Sequence, residues 1–126
     1  MVAAAIVERF DNHLLIALPS LDDPKREWLF TRVRVEKDES PESGVRRYCR
    51  HELGLIVEVV VGQPPLRFEI DGEVCDVRYF FCGVVSGEPS PGPNAEVRWV
   101  PRGHLREYEF DAVSRPVTDW LLEEGN

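Results

Sequence analysis

Arg32–Leu55 reads RVRVEKDESPESGVRRYCRHELGL, and its second half settles more of the architecture than any other stretch of the 126 residues. Ser40 followed by Pro41 is a strong helix start. The serine side chain can take a free backbone N–H, and proline at the first helical position loses nothing because its N–H has no partner there. Gly54 suits the left-handed residue that ends a helix. These signals predict a helix over Pro41–Leu53. At 100° per residue, Val45, Cys49 and Leu53 climb one side, and Tyr48 and Glu52 share the same broad arc. Arg46, Arg47, Arg50 and His51 take the rest and form the clearest basic cluster of the chain.

Upstream, Val2–Val7 and Leu14–Leu18 read as strands separated by a turn at Asp11-Asn12. Trp28–Phe30 begins another extended region, and Arg32–Glu36 alternates arginine with valine as a half-exposed strand or extended loop does. Downstream, Leu55–Val61 is rich in β-branched residues and reads as a buried strand. Arg67–Ile70, Asp71-Gly72 and Glu73–Val85 form a hairpin, since Asp-Gly between extended runs marks a two-residue turn. Ser86–Ala95 carries three prolines and two glycines and is a loop by composition. Glu96–Val100 returns as a strand. Pro101–Glu107 reads as a short helix and Pro116–Glu124 as a final one, with Val117, Trp120 and Leu121 inward. The order is that of an α/β (α+β) sandwich.

The length fits one domain, 1–126, with a sizeable core. A formal charge of -8 argues against a nucleic-acid polymer as partner, while leaving room for a local basic pocket that holds one small anion. Three cysteines, Cys49, Cys75 and Cys82, are an odd number without C-x-x-C spacing, which suits buried thiols in a reducing cytoplasm. Nothing resembles a signal peptide or a membrane span. Monomer and homodimer both stay open.

With Gly54 and Leu55 as its end, the opening stretch resembles the Nudix box, G-x5-E-x7-R-E-U-x-E-E-x-G-U, where U is a bulky aliphatic. Glu39 then falls on the loop glutamate, Arg47 on the arginine and Glu52 on the last carboxylate. Val33 replaces the opening glycine, Tyr48 the first helix glutamate, Cys49 the aliphatic and His51 the middle glutamate. The Val2–Val7 and Leu14–Leu18 strands, Trp28 and the Glu96–Val100 segment resemble further landmarks of the family. The resemblance implies a MutT-like α/β/α sandwich around a central mixed sheet. It also implies hydrolysis of nucleoside diphosphate-linked compounds with Mg2+ or Mn2+.

Magnesium is a hard cation that takes carboxylate oxygens. The family gathers them from an arc that here holds Tyr48, His51 and Glu52, so only Glu52 brings a carboxylate. Imidazole suits zinc, iron or nickel better. The expected metal-side residues are Glu39, Glu52 and His51, and the expected catalytic ones Glu52 and Glu96, the last as a supplementary glutamate. Arg47 is expected to brace Glu39, since a guanidinium fork matches a carboxylate. Arg32 and Arg34 stand where a phosphate would lie, and Trp28 or Phe30 is the expected ring contact for a ligand.

Three readings remain. One is a degenerate Nudix protein with absent or weak diphosphatase activity, needing no cofactor, that binds a nucleotide or phosphorylated metabolite. Another is an active hydrolase using Glu39, Glu52 and Glu96. The third is a non-enzymatic protein-interaction domain.

Overall fold

Strand β1, Val2–Arg9, is apolar along both edges of its pleat, and both are covered. Ala3, Ala5 and Val7 enter one core while Val2, Ala4 and Ile6 enter another. A strand buried on both faces reads as a continuous apolar run rather than an alternating one. The computed structural model describes residues 1–9 and 11–124; Phe10, Gly125 and Asn126 of the expected 1–126 domain lie outside the described residues.

Beyond β1 come β2, His13–Leu18, β3, Arg32–Arg34, helix α1, Pro41–Leu53, and β4, Ile56–Gly62. Strands β5, Leu66–Ile70, β6, Glu73–Ser86, and β7, Glu96–Pro101, follow, then a 3-10 helix at Arg102–Glu107 and helix α2, Arg115–Glu124. Among the described residues, seven strands form one sheet in the order β4-β6-β1-β2-β7, with β3 added to β1 and β5 to β6. Strands β1 and β6 run parallel, in register from Val2↔Val77 to Glu8↔Gly83, and the other pairs are antiparallel. The sheet is therefore mixed, and helices cover both of its faces.

Helix α1 has the expected ends. Ser40 Oγ accepts from the Ser43 N–H, and Gly54 is left-handed at φ 72 with its N–H on the Cys49 carbonyl. Val45, Cys49 and Leu53 are buried against Ala3, Ala5, Val7, Leu15, Phe80 and Cys82. Burying a Val or Leu side chain contributes about 1.5–3 kcal/mol, so these contacts rather than helix propensity hold α1 on the sheet. The other face carries Ile6, Leu14, Ile16, Val77, Tyr79 and, from α2, Val117 and Leu121. The Tyr79 hydroxyl donates to the Val113 carbonyl at 2.6 Å, which satisfies a buried phenol and ties β6 to the approach of α2. Cys49 and Cys82 lie in the α1-side core, and Cys75 in the α2-side core. All three are free thiols.

The Asp71-Gly72 turn has φ 52 and 79, the pair of positive values that a two-residue hairpin needs. Several expectations are corrected. Leu55–Val61 is not a buried strand: β4 is a sheet edge, with Val57 inside but Ile56, Val60 and Val61 exposed at 47%, 69% and 48%. A β-branched run shows strand propensity without telling centre from edge. Trp28–Phe30 makes only isolated bridges, Ala17↔Leu29 and Trp28↔Phe110. The short helix is a 3-10 turn that starts at Arg102, and α2 starts one residue earlier than expected, at Arg115, after Asp111 Oδ1 accepts the Ser114 N–H. Trp120 is only partly buried, edge-on to Tyr79 at 5.4 Å. Among the described residues, no helix is long and apolar enough to cross a membrane.

Candidate active site

The loop from β3 into α1 is built around Glu39. One of its oxygens accepts from Arg47 Nε at 2.8 Å, and the other from Arg47 Nη2 and from the Glu36 N–H, both at 3.0 Å. This fork-to-carboxylate pair is the strongest hydrogen-bond geometry available to an arginine. Arg47 Nη2 also donates to the Arg34 carbonyl at 3.3 Å, so one side chain ties α1 to β3. The guanidinium, and after it the Glu36 N–H, hold the Glu39 carboxyl at about 2, well below the usual range. The Glu39 side chain is 14% exposed, and a Cβ on Gly44 would stand 3.1 Å from its Oε1. Glycine at 44 leaves the room that the carboxylate occupies.

One turn further on stand Tyr48, His51 and Glu52. Tyr48 is half-buried, and that burial pushes its phenol up, against an opposing pull from the Asn94 side chain. A phenolate ligand is therefore costly. His51 and Glu52 are exposed. Cys49 faces the core, and burial pushes its thiol up to about 12. Of the three arc residues, Glu52 alone offers a carboxylate, while Glu39 is engaged with Arg47.

The C-terminal end of α1 is clamped by the 86–95 loop. The Ser90 N–H donates to the Leu53 carbonyl at 2.8 Å. Gly92, at φ 58, passes so close to the Glu52 carbonyl oxygen that a Cβ would collide with it. Composition marks this segment as a loop, and its clamping role was missed in the sequence. The glycines were the available signal, since close backbone approach is one of the two things glycine permits.

The remaining candidates lie elsewhere. Alternation in β7 sends Val97 and Trp99 to the α1 face, so Glu96 and Arg98 project to the α2 face. Glu96 accepts from Arg98 Nε at 2.9 Å and is not brought together with Glu52. The Arg98 guanidinium lies 5.0 Å over the Trp28 ring, which meets Tyr108 edge-on at 5.4 Å. Val33 and Val35 pack under α1, which turns Arg32 and Arg34 the other way. Arg32 pairs with Asp111 at 2.8 Å and Arg34 with Glu73 at 3.4 Å. Phe30, expected as a ring contact, is a core side chain instead: it is 1% exposed and stacked on Phe110 at 5.2 Å.

The NUDIX domain family model matches residues 1–121. The chain belongs to the Nudix family. The same fold is seen in the E. coli ORF135 protein, with a TM-score of 0.75 at 24% identity over 94% of this chain and 84% of that one. A Nudix-family hydrolase from Clostridium perfringens matches with a TM-score of 0.77 at 14% identity, over 99% and 97% of the two chains. A C. elegans Ap4A hydrolase matches with 0.77 at 13% identity, over 98% and 93%. No curated protein matches the sequence.

Nudix hydrolases generally work with divalent metals, so the donor set of this Nudix domain can be tested against one. A magnesium or manganese ion wants several converging oxygens. Among the described residues no three His, Cys, Asp or Glu side chains gather in a metal-holding group. Glu39 is spent on Arg47, and Glu96 projects from the opposite face of the sheet. The residues present do not fit a carboxylate-held metal cluster.

Proposed function

We propose that this single Nudix domain, spanning 1–126, has a degenerate box with absent or very weak metal-dependent diphosphatase activity, and binds a nucleotide or phosphorylated metabolite. One observation carries the reading. The arc that should present carboxylates presents Tyr48, His51 and Glu52, and the remaining box carboxylate, Glu39, is closed in a fork with Arg47. Arg46 and Arg50 are exposed beside it and supply cationic surface for a phosphorylated ligand in a chain of net charge -8. The buried free thiols suit a cytoplasmic setting.

The test is turnover of nucleoside triphosphates, dinucleoside polyphosphates and sugar nucleotides with Mg2+ or Mn2+ supplied, beside calorimetric binding of the same compounds. Binding without hydrolysis is the expected result. Robust hydrolysis abolished by Glu52→Gln overturns it, because an active site using Glu39, Glu52 and Glu96 would then have to form. A protein-interaction role draws support from a different observation, the exposed apolar residues Ile56, Val60 and Val61 on edge strand β4. Sedimentation over a concentration series separates monomer from homodimer.

A further inference from the structure

Edge strand β4 is apolar in sequence and open in structure. Ile56, Val57, Val59, Val60 and Val61 fill five of its seven positions, and Glu58 is its only charge. Its inner side pairs with β6, while its outer row of N–H and C=O groups has no backbone partner among the described residues. Exposed apolar side chains gather along this margin. Ile56, Val60 and Val61 lie on β4 itself, and Val85 lies on β6 beside the start of the strand. An unpaired strand edge is a template for another strand, and natural edges are blunted by charge, proline or bulges.

The far edge of the sheet is blunted in this way. Strand β7 carries Glu96 and Arg98 as an ion pair and ends at Pro101. Strand β4 has no proline. Its defences are Glu58 and two register irregularities, between Ile56 and Val57 and between Val59 and Val61. The second leaves Val60 without a residue opposite it on β6. Its side chain, 69% exposed, is the most open large apolar group among the described residues. These features restrict the register of an incoming strand more than they exclude one.

We propose that β4 is a self-association edge, on which β4 of a second copy adds antiparallel about a two-fold axis at Val59. A two-fold interface needs a patch complementary to itself. Centred on Val59, the pairing sets Glu58 against Val60 of the second copy, Val57 against Val61, and Ile56 against Gly62. Moving the axis to Glu58 would set two carboxylates directly opposite one another, which is destabilising. The incoming strand must itself offer an open apolar edge, and β4 offers one where β7 does not. The two seven-stranded sheets then join into one. Seven residues at about 3.3 Å each make a short contact, so the dimer is one that dissociates on dilution. The proposal rests on the interaction reading above and names its partner. It does not involve the box, so turnover and self-association fail separately.

The experiment is sedimentation velocity of the full chain over a concentration series, without metal or nucleotide. The weight-average coefficient should rise with concentration and return to the monomer value on dilution. Val60→Lys should abolish the rise, because a lysine guards an edge. Val74→Lys, at a similarly exposed valine away from β4, should leave it unchanged. Register is read by cross-linking under oxidised glutathione. A mixture of Glu58→Cys and Val60→Cys should form a disulfide-linked dimer several-fold faster than either variant alone. A monomer at every concentration, which would leave the edge to a different protein, overturns the proposal. So does a rise that survives Val60→Lys, or one lost equally in Val74→Lys. Either cysteine variant cross-linking with itself as fast as the mixture overturns it too. Should Val60→Lys fail to fold, the cross-linking rates decide alone.

Discussion

Gly44 and Glu39 occupy one another's space: the carboxylate Oε1 lies 3.1 Å from where a Cβ on residue 44 would stand. The glycine therefore belongs to the Glu39–Arg47 clamp although it makes no bond in it. Helix propensity alone would favour alanine by about 1 kcal/mol.

Gly44→Val should destabilise the protein by about 1–3 kcal/mol through crowding of the clamp. In a Glu39→Ala background the same change should cost distinctly less, because the obstructing carboxylate is gone. Urea denaturation of the four proteins gives the coupling between the sites. Additive effects would mean that the two residues do not share space.

The clamp has a pH signature. Glu39 is held at about 2 in the folded protein against an ordinary value of 4.5. A depressed carboxylate stabilises the folded state fully above its ordinary value, and that contribution drains away as pH falls through the folded one. Glu39→Gln should therefore lower the urea midpoint at pH 7 and at pH 5. The gap to the parent should close between about pH 4.5 and pH 2. A gap constant down to pH 2 would contradict the pairing.

Restoring carboxylates separates metal binding from turnover. Tyr48→Glu with His51→Glu should place two more acids beside Glu52, three within about one turn, and calorimetry should show a saturable Mg2+ isotherm that the parent lacks or shows more weakly. Hydrolysis need not follow, because Arg32 and Val33 still shape the preceding segment and small misplacements cost on the order of 100-fold. No gain in Mg2+ affinity would mean that this arc does not present a site.

Gly92 tests the other end of α1. Gly92→Ala places a Cβ against the Glu52 carbonyl at a backbone angle of φ 58. A loss of about 1–3 kcal/mol is expected from strain and clash. Hydrogen exchange at the Ser90 N–H, which donates to the Leu53 carbonyl, should accelerate more than exchange in β1.

The sequence spoke most clearly where local chemistry decides the outcome. Ser40, Pro41 and Gly54 bounded α1, Asp71-Gly72 announced the hairpin, and Arg47 met Glu39 as the box spacing implied. It failed where the answer depends on which face of the sheet a residue joins. Period-two alternation places Glu96 with Arg98, and Arg32 with Arg34, but cannot say that these pairs point away from α1 until the packing of Val33, Val97 and Trp99 is known. Phe30 was misjudged because an aromatic ring serves a core and a ligand equally well in sequence.

The thiols divide between the two layers, with Cys49 on the buried face of α1, Cys82 in the same layer and Cys75 on the α2 side at 7% exposure. Each layer thus carries its own chemical clock. A thiol reagent can modify Cys49 only when α1 lifts, since that side chain is 0% exposed. Labelling kinetics followed residue by residue would report whether the box helix opens by itself or only when the whole sheet comes apart. A domain that remodels its box segment around a ligand would show the first behaviour, and a rigid scaffold the second.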